Sequence, residues 1–441
     1  MSKATVLLAL LSLSITLELG SAHKQRSAVR GMVERIKYAT PSKGDPGQPL
    51  FLTPYIESGR TEEGRQLSLV GPLPGASMKS YFSNLTVNKT LNSNLFFWFF
   101  PAQMQPENAP VLLWLQEGPG GTSMFGIFVE HGPYVVDQNL RLSERKFPFT
   151  DDTGYAVNQD DVGRDFKFAL IQFFQLFPDY QKNDFYATGE SYAGKYVPAI
   201  RYYIHIHNPT AKVKISFKGV AIGDGFCDPE MMLGGYVQFL YQIGLVDEKQ
   251  RDYVQQQTDL GVIYIQQKKW TEAFEVRIRG PHTELQFCPT VTGCSNFFNM
   301  LQCQLKSLLL PEVRKSIHVG NLTFHDGSTV EKHLLEDVMK TIKPWLAILM
   351  DNYRVRRFHG QLDIIVAAPL TQLEDYKNAE RLVRKIHPQD KEVAGYVHQA
   401  GDIYQVIVRS GGHILPYDQP ERSWDMTDRF TSGKGWKKNE H

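Results

Sequence analysis

The chain has 441 residues, of which 42% are hydrophobic and 22% charged, an ordinary composition for a globular protein. Its 48 lysines and arginines against 47 aspartates and glutamates leave a formal net charge of +1. The chain therefore has no excess of basic residues of the kind that nucleic-acid-binding proteins carry, and we expect no nucleic-acid partner. The length fits one large α/β domain with an insertion, or two to three small domains.

The N-terminal segment has the layout of a secretory signal peptide. Lys3 precedes an apolar run over residues 4–17, and small residues at 20–22 provide a cleavage site. A membrane anchor is the alternative, but the run is short for a bilayer and Glu18 lies near its end. We therefore predict a signal peptide over residues 1–22, no stable membrane insertion, and a mature chain that is secreted or lies in the lysosomal or endosomal lumen.

Three N-x-T sequences agree with that route. They begin at Asn84, Asn88 and Asn321, and each is an acceptor for N-glycosylation in a secreted protein. Such tripeptides are common by chance. With a signal peptide present, we expect at least one of them to carry a glycan.

Cysteine and histidine spacing gives no sign of a metal site. The four cysteines form an even set in an oxidising compartment: Cys227, Cys288, Cys294 and Cys303. Three pairings are possible, a local bridge between Cys294 and Cys303 is favoured, and a free Cys227 remains open. No C-x-x-C pair is present, which argues against zinc. His205 and His207 are two residues apart on a predicted helix and so point to different faces.

Short apolar runs alternate with helical spacing along the rest of the chain. Strands are predicted at residues 95–100, 111–115, 184–188, 213–222, 353–358 and 404–408, and helices at 165–177 and from 192 onward. Residues 227–346 are helical and polar in pattern. This order implies a mostly parallel sheet flanked by helices, formed by residues 23–226 and 347–441, with a helical cap inserted at 227–346.

A candidate nucleophile lies between a predicted strand and a predicted helix. The segment GESYAG at residues 189–194 contains Gly-x-Ser-x-Gly, in which Ser191 would stand on a sharp turn above the sheet. Flanking glycines are needed because that turn is cramped. The pentapeptide alone is weak, since a chain with 35 glycines would show it by chance about one time in six.

Two later residues complete a catalytic constellation. A serine hydroxyl needs an imidazole to take its proton, and the imidazole needs a carboxylate to fix its tautomer. Asp363 follows one predicted strand and His413 follows another, so both lie at the carboxyl ends of strands, where open α/β sheets bind ligands. The order Ser191, Asp363, His413 is the order of α/β-hydrolases.

Four blocks resemble those of the serine carboxypeptidase family, and they occur in the family's order. They are WLQEGPG at 114–120, GESYAG at 189–194, HGQLD at 359–363 and GGHILP at 411–416. Two further stretches, at 47–56 and 97–103, resemble the vitellogenic-like branch of that family. The resemblance implies an α/β-hydrolase fold, peptide or protein substrates with a free C-terminus, and no cofactor.

The resemblance also implies roles for residues near the nucleophile. The backbone N–H groups of Gly118 and Tyr192 would form the oxyanion hole. Gln116, Glu130 and Glu190 match the positions that hold the substrate's C-terminal carboxylate. Carboxyl groups clustered beside a carboxylate cannot all ionise, so some would keep a proton and donate a hydrogen bond, which favours acidic pH.

Several residues depart from the family pattern. Glu117 stands where the family has a glycine, beside the proposed oxyanion hole, and His359 stands where the family usually has asparagine. Arg356 and Arg357 lie in a strand expected to be apolar on both faces, where an unpaired charge is costly.

The largest departure is a missing strand. The family has an additional apolar strand between the oxyanion block and the nucleophile strand, whereas no strand-like run occupies residues 139–159 here. A diverged copy, a splice form and an incomplete gene sequence are all compatible with this gap. The intact triad favours an active carboxypeptidase. Glu117, the two arginines and the gap favour a non-catalytic relative that binds peptides, and an acyltransferase using the same nucleophile is a third hypothesis.

Overall fold

The structure, a computed structural model, describes residues 5–8, 44–71, 73, 77–116, 118–119, 123–128, 130, 132–136, 142–144, 156, 158–284, 310–322, 328–363, 366 and 379–436. Glu117, most of the predicted signal peptide and the cysteines at 288, 294 and 303 lie outside these ranges. Within them, no helix is both long enough and apolar enough to cross a membrane.

The described strands are assigned to three sheets. In chain order they are β1 (Thr5–Leu8), β2 (Tyr81–Asn88), β3 (Ser93–Phe99), β4 (Val111–Leu115), β5 (Tyr134–Val136), β6 (Leu142–Glu144), β7 (Phe185–Glu190), β8 (Phe217–Gly223), β9 (Arg354–Gly360), β10 (Arg381–Arg384), β11 (Gly395–Ala400) and β12 (Ile403–Val408). Eight of them form a central sheet in the order β1-β4-β7-β8-β9-β12-β11-β10. Neighbours from β1 to β12 are parallel, and β11 runs antiparallel to β12 and β10. The predicted mostly parallel sheet is confirmed.

Helices cover both faces of this sheet. They are α1 (Thr53–Glu57), α2 (Thr61–Leu67), α3 (Met124–Phe128), α4 (Gln159–Leu176), α5 (Ala193–His207), α6 (Pro229–Gln242), α7 (Glu248–Gln266), α8 (Trp270–Glu284), α9 (Pro311–Ser316), α10 (Ser328–Val338), α11 (Lys343–Asn352), α12 (Leu415–Asp418) and α13 (Pro420–Ser432). Successive side chains of β4 point to opposite faces of the sheet and pack against different helices. Leu113 and Leu115 belong to the apolar cluster that contains α4 and α5, whereas Leu112 and Trp114 belong to the cluster that contains α13.

Helix α4 begins six residues before the predicted start. The side chain of Asn158 accepts a hydrogen bond from the backbone N–H of Asp161 at 2.8 Å, which caps the helix in a way that periodicity of apolar residues does not reveal. Phe166, Leu170 and Phe173 then bury one face of α4 against the sheet. This packing of α4, in the connection between β4 and β7, fixes the position of β7, the strand that precedes Ser191.

The outer edge of β4 is paired with β1. Thr5 to Leu8 lie opposite Val111 to Trp114 in parallel register, so a segment inside the predicted signal peptide occupies this edge of the sheet. Cleavage near residue 22 would remove β1. The interval predicted to hold no strand contains β6, but this short strand pairs only with β5 in a separate two-stranded sheet and adds nothing to the central one.

Arg356 in β9 is buried and partnered. Its guanidinium lies 4.5 Å from the ring centroid of Phe430 and donates to the Met426 carbonyl and to Thr427 Oγ1, all on α13. Burial lowers the pKa of Arg356 to about 9. Arg357 is also buried. The charges that the sequence marks as costly are therefore inside the protein, and α13 supplies the partners of Arg356.

Candidate active site

Four polar residues follow four neighbouring strands of the sheet. Ser191 follows β7, Asp224 follows β8, Asp363 follows β9 and His413 follows β12. Because these strands are parallel, their carboxyl ends meet at one edge of the sheet. Three of the four residues were predicted from the sequence, and Asp224 was not.

Ser191 stands at a sharp turn between β7 and α5. Its φ of 59° lies in the left-handed region, which is strained for a residue with a side chain. The N–H of Ser191 donates to the Gly223 carbonyl, and the Ser191 carbonyl accepts from the N–H groups of Gly194 and Phe226, all at 2.9 Å. These bonds hold the backbone turn that the Gly-x-Ser-x-Gly pattern predicts.

Close approach of neighbouring backbone explains the two glycines of the motif. A Cβ atom on Gly189 would lie 2.4 Å from the carbonyl oxygen of Leu115 in β4. A Cβ atom on Gly194 would lie 2.5 Å from the backbone nitrogen of Phe226. Both distances are far below van der Waals contact, so a side chain at either position would displace the turn.

The structure brings Ser191, Asp363 and His413 into one hydrogen-bonded chain. Ser191 Oγ is 3.0 Å from His413 Nε2, and His413 Nδ1 is 3.0 Å from Asp363 Oδ2. Asp363 is buried, and both of its carboxyl oxygens accept from the N–H of Val366 at 3.2 Å. In this arrangement the imidazole can take the serine proton while the carboxylate orients the ring and stabilises its cation.

The two proposed oxyanion donors lie on separate loops. Tyr192 is the N-cap residue of α5, so its backbone N–H lies at the positive end of the helix dipole. Gly118 follows β4 and has a φ of 141°, a conformation that glycine adopts far more readily than other residues. Glu117, the departure noted beside this position, lies outside the described residues.

Gln116, Glu130 and Glu190 share one buried hydrogen-bond network. Gln116 Nε2 donates to Glu130 Oε1 at 2.8 Å and to Glu190 Oε2 at 3.1 Å. Trp114 Nε1 donates to Gln116 Oε1 at 2.7 Å, which fixes the amide so that its NH₂ group faces the two carboxyls. Each of the three residues is at most 1% exposed. Since Glu190 precedes Ser191, the network lies directly beside the nucleophile.

A second polar network lies under α5 and was missed by sequence reasoning. Lys195 Nζ donates to the backbone carbonyls of Asp337 and Val338 and lies 3.4 Å from the Asp337 carboxylate. Gln159 Nε2 also donates to Asp337, at 2.8 Å. Burial lowers the pKa of Lys195 to about 8. This network joins the helix behind the nucleophile to α4 and α10, and no local pattern signals a contact between residues 142 positions apart.

Asp224 and His359 lie beneath the triad. Both are fully buried, and His359 Nδ1 is 3.4 Å from Asp224 Oδ1. Burial and the nearby charge of Arg357 lower the pKa of His359 to about 3, so its ring is neutral. Asp224 could have been found from the sequence by the same signal as Asp363, because each follows the end of a buried strand.

Among the described residues, one group of acidic and histidine side chains is close enough together to hold a metal ion. It consists of Asp224, Asp363 and His413. Two of these are already bonded to each other in the triad. His205 Nδ1 instead contacts Tyr353 Oη and His207 Nδ1 contacts the Tyr203 carbonyl, so these two histidines have separate partners.

The predicted modification sites differ in exposure. Asn84 is 6% exposed, and its Nδ2 donates to the Leu50 carbonyl at 3.0 Å. Asn88 is half-buried at the end of β2, and Asn321 is exposed. Cys227 is a free, buried thiol whose Sγ donates to the Gly194 carbonyl at 3.2 Å.

Comparison with known proteins agrees with the four sequence blocks. A sequence model of the serine carboxypeptidase family matches residues 72–150 and 147–433. The two matched pieces meet at residues 147–150, inside the interval in which the sequence lacks a family strand.

Relatives match most of the chain. The probable serine carboxypeptidase CPVL of Homo sapiens is 58% identical over 438 residues, which cover 90% of this chain and 92% of the relative. The vitellogenic carboxypeptidase of Aedes aegypti is 38% identical over 430 residues, which cover 88% and 91%. The predicted resemblance to the vitellogenic-like branch is confirmed.

A solved structure shares the fold. Kex1(Δ)p, a prohormone-processing carboxypeptidase from Saccharomyces cerevisiae, superposes with a TM-score of 0.71 at 18% identity, covering 84% of this chain and 96% of that one. At this identity the likeness concerns the fold alone, and it confirms the predicted α/β-hydrolase architecture.

Proposed function

This chain belongs to the serine carboxypeptidase family, and from that membership we propose that it is a hydrolase that removes the C-terminal residue of a peptide through an acyl-serine intermediate. Ser191 is the nucleophile, His413 the general base and Asp363 the residue that orients the imidazole. The 3.0 Å contacts from Ser191 to His413 and from His413 to Asp363 support those roles. The reaction requires no cofactor.

The observation that carries the proposal is the buried network of Gln116, Glu130 and Glu190 beside the nucleophile. A triad alone serves many esterases and peptidases. An amide and two carboxyls that share hydrogen bonds can also bind a carboxylate, provided that at least one carboxyl holds a proton and donates it. That requirement selects a substrate whose free C-terminus lies one residue beyond the bond that is cut.

The reaction then proceeds in two steps. Ser191 Oγ attacks the carbonyl carbon of the last peptide bond while His413 Nε2 accepts the serine proton, and His413 returns that proton to the departing amino group. Charge that develops on the carbonyl oxygen is bound by the N–H groups of Gly118 and Tyr192. Water, activated by His413 in the same way, releases the shortened peptide from the serine.

Two peptides that differ only in their C-terminus test this proposal. At pH 5 we expect the free acid to be cleaved at least about tenfold faster than the carboxamide, because the amide lacks the charge that the network binds. Between pH 5 and pH 8, kcat/KM for the free acid should fall as the carboxyls ionise. Glu130→Gln should flatten this fall, because an amide donates at every pH.

Covalent labelling of Ser191 by a fluorophosphonate is the control for Glu130→Gln, since the label needs no substrate carboxylate. Equal cleavage of acid and carboxamide at neutral pH would contradict the proposed role of the network. Labelling without cleavage of either peptide would support another acyl-transfer reaction at the same serine.

We also propose that the protein acts in the lumen of the secretory pathway, outside the cell or in a lysosome, and that residues 227–346 form a cap over the site. The described part of this stretch supports the second point, because α6 to α10 fall between β8 and α11. The proposed location of the protein is supported by the signal-peptide pattern at the N-terminus and by the three glycosylation sequences.

Exposure predicts which acceptor is used. In a secretory expression host, Asn321→Gln should remove one glycan step on a gel, because Asn321 is exposed. Asn84→Gln should leave the gel pattern unchanged, because the Asn84 amide is buried and donates to Leu50. Glycosidase treatment of each variant identifies the step. A glycan found at Asn84 would show that β2 is modified before it packs.

A further inference from the structure

We propose that Asp224 is a positioning residue for the catalytic triad: its carboxyl keeps its proton and donates it as a hydrogen bond to the Asp363 carboxylate, which holds Asp363 against His413. This inference rests on the proposed hydrolase function, because it concerns the same triad. It adds Asp224 to the three triad residues, with the role of keeping Asp363 ionised and correctly oriented.

Geometry places the Asp224 carboxyl inside the triad. One oxygen of Asp224, one oxygen of Asp363 and one nitrogen of His413 all lie within 4.8 Å of one another. At this separation a hydrogen bond between the two carboxyls needs a proton on one of them, because two ionised carboxylates cannot hydrogen-bond each other.

The hydrogen bonds identify Asp224 as the protonated member. Its Oδ1 accepts from the Gly360 N–H at 3.1 Å, whereas its buried Oδ2 receives no hydrogen bond from any donor in the described part of the chain. Asp363, by contrast, accepts from His413 Nδ1 and from the Val366 N–H. A carboxyl that accepts more hydrogen bonds is stabilised as the anion, whereas a carboxyl with an oxygen that lacks donors keeps its proton more readily.

The charges around Asp224 act in the same direction. Burial raises the pKa of Asp224 well above its usual range, and the carboxylates of Asp363 and Glu190 raise it further. The Gly360 N–H opposes them. On β9, His359 is neutral, with Arg357 close to it, and His413 on the loop after β12 is bonded to Asp363.

The backbone at Asp224 is strained. Its φ of 42° is in the left-handed region, and its N–H donates to the Phe358 carbonyl of β9 at 2.8 Å. Such a conformation persists only where surrounding contacts impose it, and it is concentrated at functional sites. The Asp224 carboxyl at the end of β8 lies beside Asp363, which follows the neighbouring strand β9.

The test compares Asp224→Asn, which keeps a donor without a charge, with Asp224→Ala, which keeps neither donor nor acceptor. The rate of fluorophosphonate inactivation at Ser191 is measured from pH 4 to pH 9, because it reports the Ser191–His413 pair and needs no substrate carboxylate. Asp252→Asn, on an exposed residue, is the control for a change of aspartate to asparagine at an uninvolved site.

We expect Asp224→Asn to retain the inactivation rate within about threefold and to leave the acid limb of the pH profile in place, because a neutral group replaces a neutral group. Asp224→Ala should lose roughly tenfold or more. If Asp224 were ionised, Asp224→Asn would remove a negative charge from beside His413, and the imidazole would lose its proton at a lower pH. The acid limb of the inactivation profile would then shift to lower pH by about one unit or more. That shift, or full activity of a folded Asp224→Ala, would overturn the proposal.

Thermal stability supplies a readout that does not need an active enzyme. A carboxyl whose pKa is raised in the folded state stabilises the fold fully below its unfolded pKa of about 3.9 and loses that contribution as pH rises toward the folded value. The Tm of Asp224→Asn should therefore gain on that of the parent chain as pH rises from 4 to 8. A difference in Tm that does not change with pH would contradict a retained proton even if Ser191 proved unreactive, while failed labelling of the parent chain would count against the hydrolase function alone.

Discussion

Replacing Ser191 by alanine should abolish fluorophosphonate labelling and lower kcat/KM for a free-acid peptide on the order of 10⁴-fold or more. The hydroxyl that lies 3.0 Å from His413 Nε2 would be absent. His413→Ala should have a similar effect, because these residues act as a unit. Asp363→Asn should cost about 10⁴-fold, because an amide favours the wrong imidazole tautomer.

The matched control for this experiment is Ser58→Ala, on an exposed serine that bonds to nearby backbone and to Arg60. It should retain both labelling and activity. Labelling that survives in Ser191→Ala would place the nucleophile elsewhere. A parent chain that folds but takes no label would favour the non-catalytic relative that binds peptides.

Restoring the segment that the family has near residues 147–150 should raise the Tm by at least about 5 °C and increase secretion and peptidase rate. The reason lies at the outer edge of β4, whose residues are at most 4% exposed. In the described chain only β1 pairs with that edge, and cleavage of the predicted signal peptide would remove β1. Each buried backbone group left unpaired costs about 1–3 kcal/mol.

Several such losses would rival the whole stability of a typical domain, about 5–15 kcal/mol. An insertion of equal length made of glycine and serine at the same place is the control, because it adds chain without a strand. N-terminal sequencing of the secreted protein shows whether Thr5–Leu8 is retained. Equal Tm, secretion and peptidase rate for the parent and restored chains would mean that the gap is tolerated.

The sequence by itself determined the order of the elements and the three residues that we propose as the triad. Apolar runs and glycines located β4, β7, β9 and β12 to within a few residues, since strand periodicity and turn chemistry are local properties. The triad followed because residues at the carboxyl ends of parallel strands must share one edge of the sheet. The four blocks, in order, were specific enough to indicate the family.

Only the tertiary structure decided which distant groups touch. Lys195 meets Asp337, Arg356 meets α13, and Asp224 lies beside Asp363 because β8 and β9 are neighbours in the sheet. The same holds for Asn84, whose acceptor sequence is intact but whose side chain is buried and donates to the Leu50 carbonyl. Burial and hydrogen-bond partners depend on strand order and helix packing, which join residues far apart in the chain, whereas the sequence patterns used here report on neighbours within a few residues.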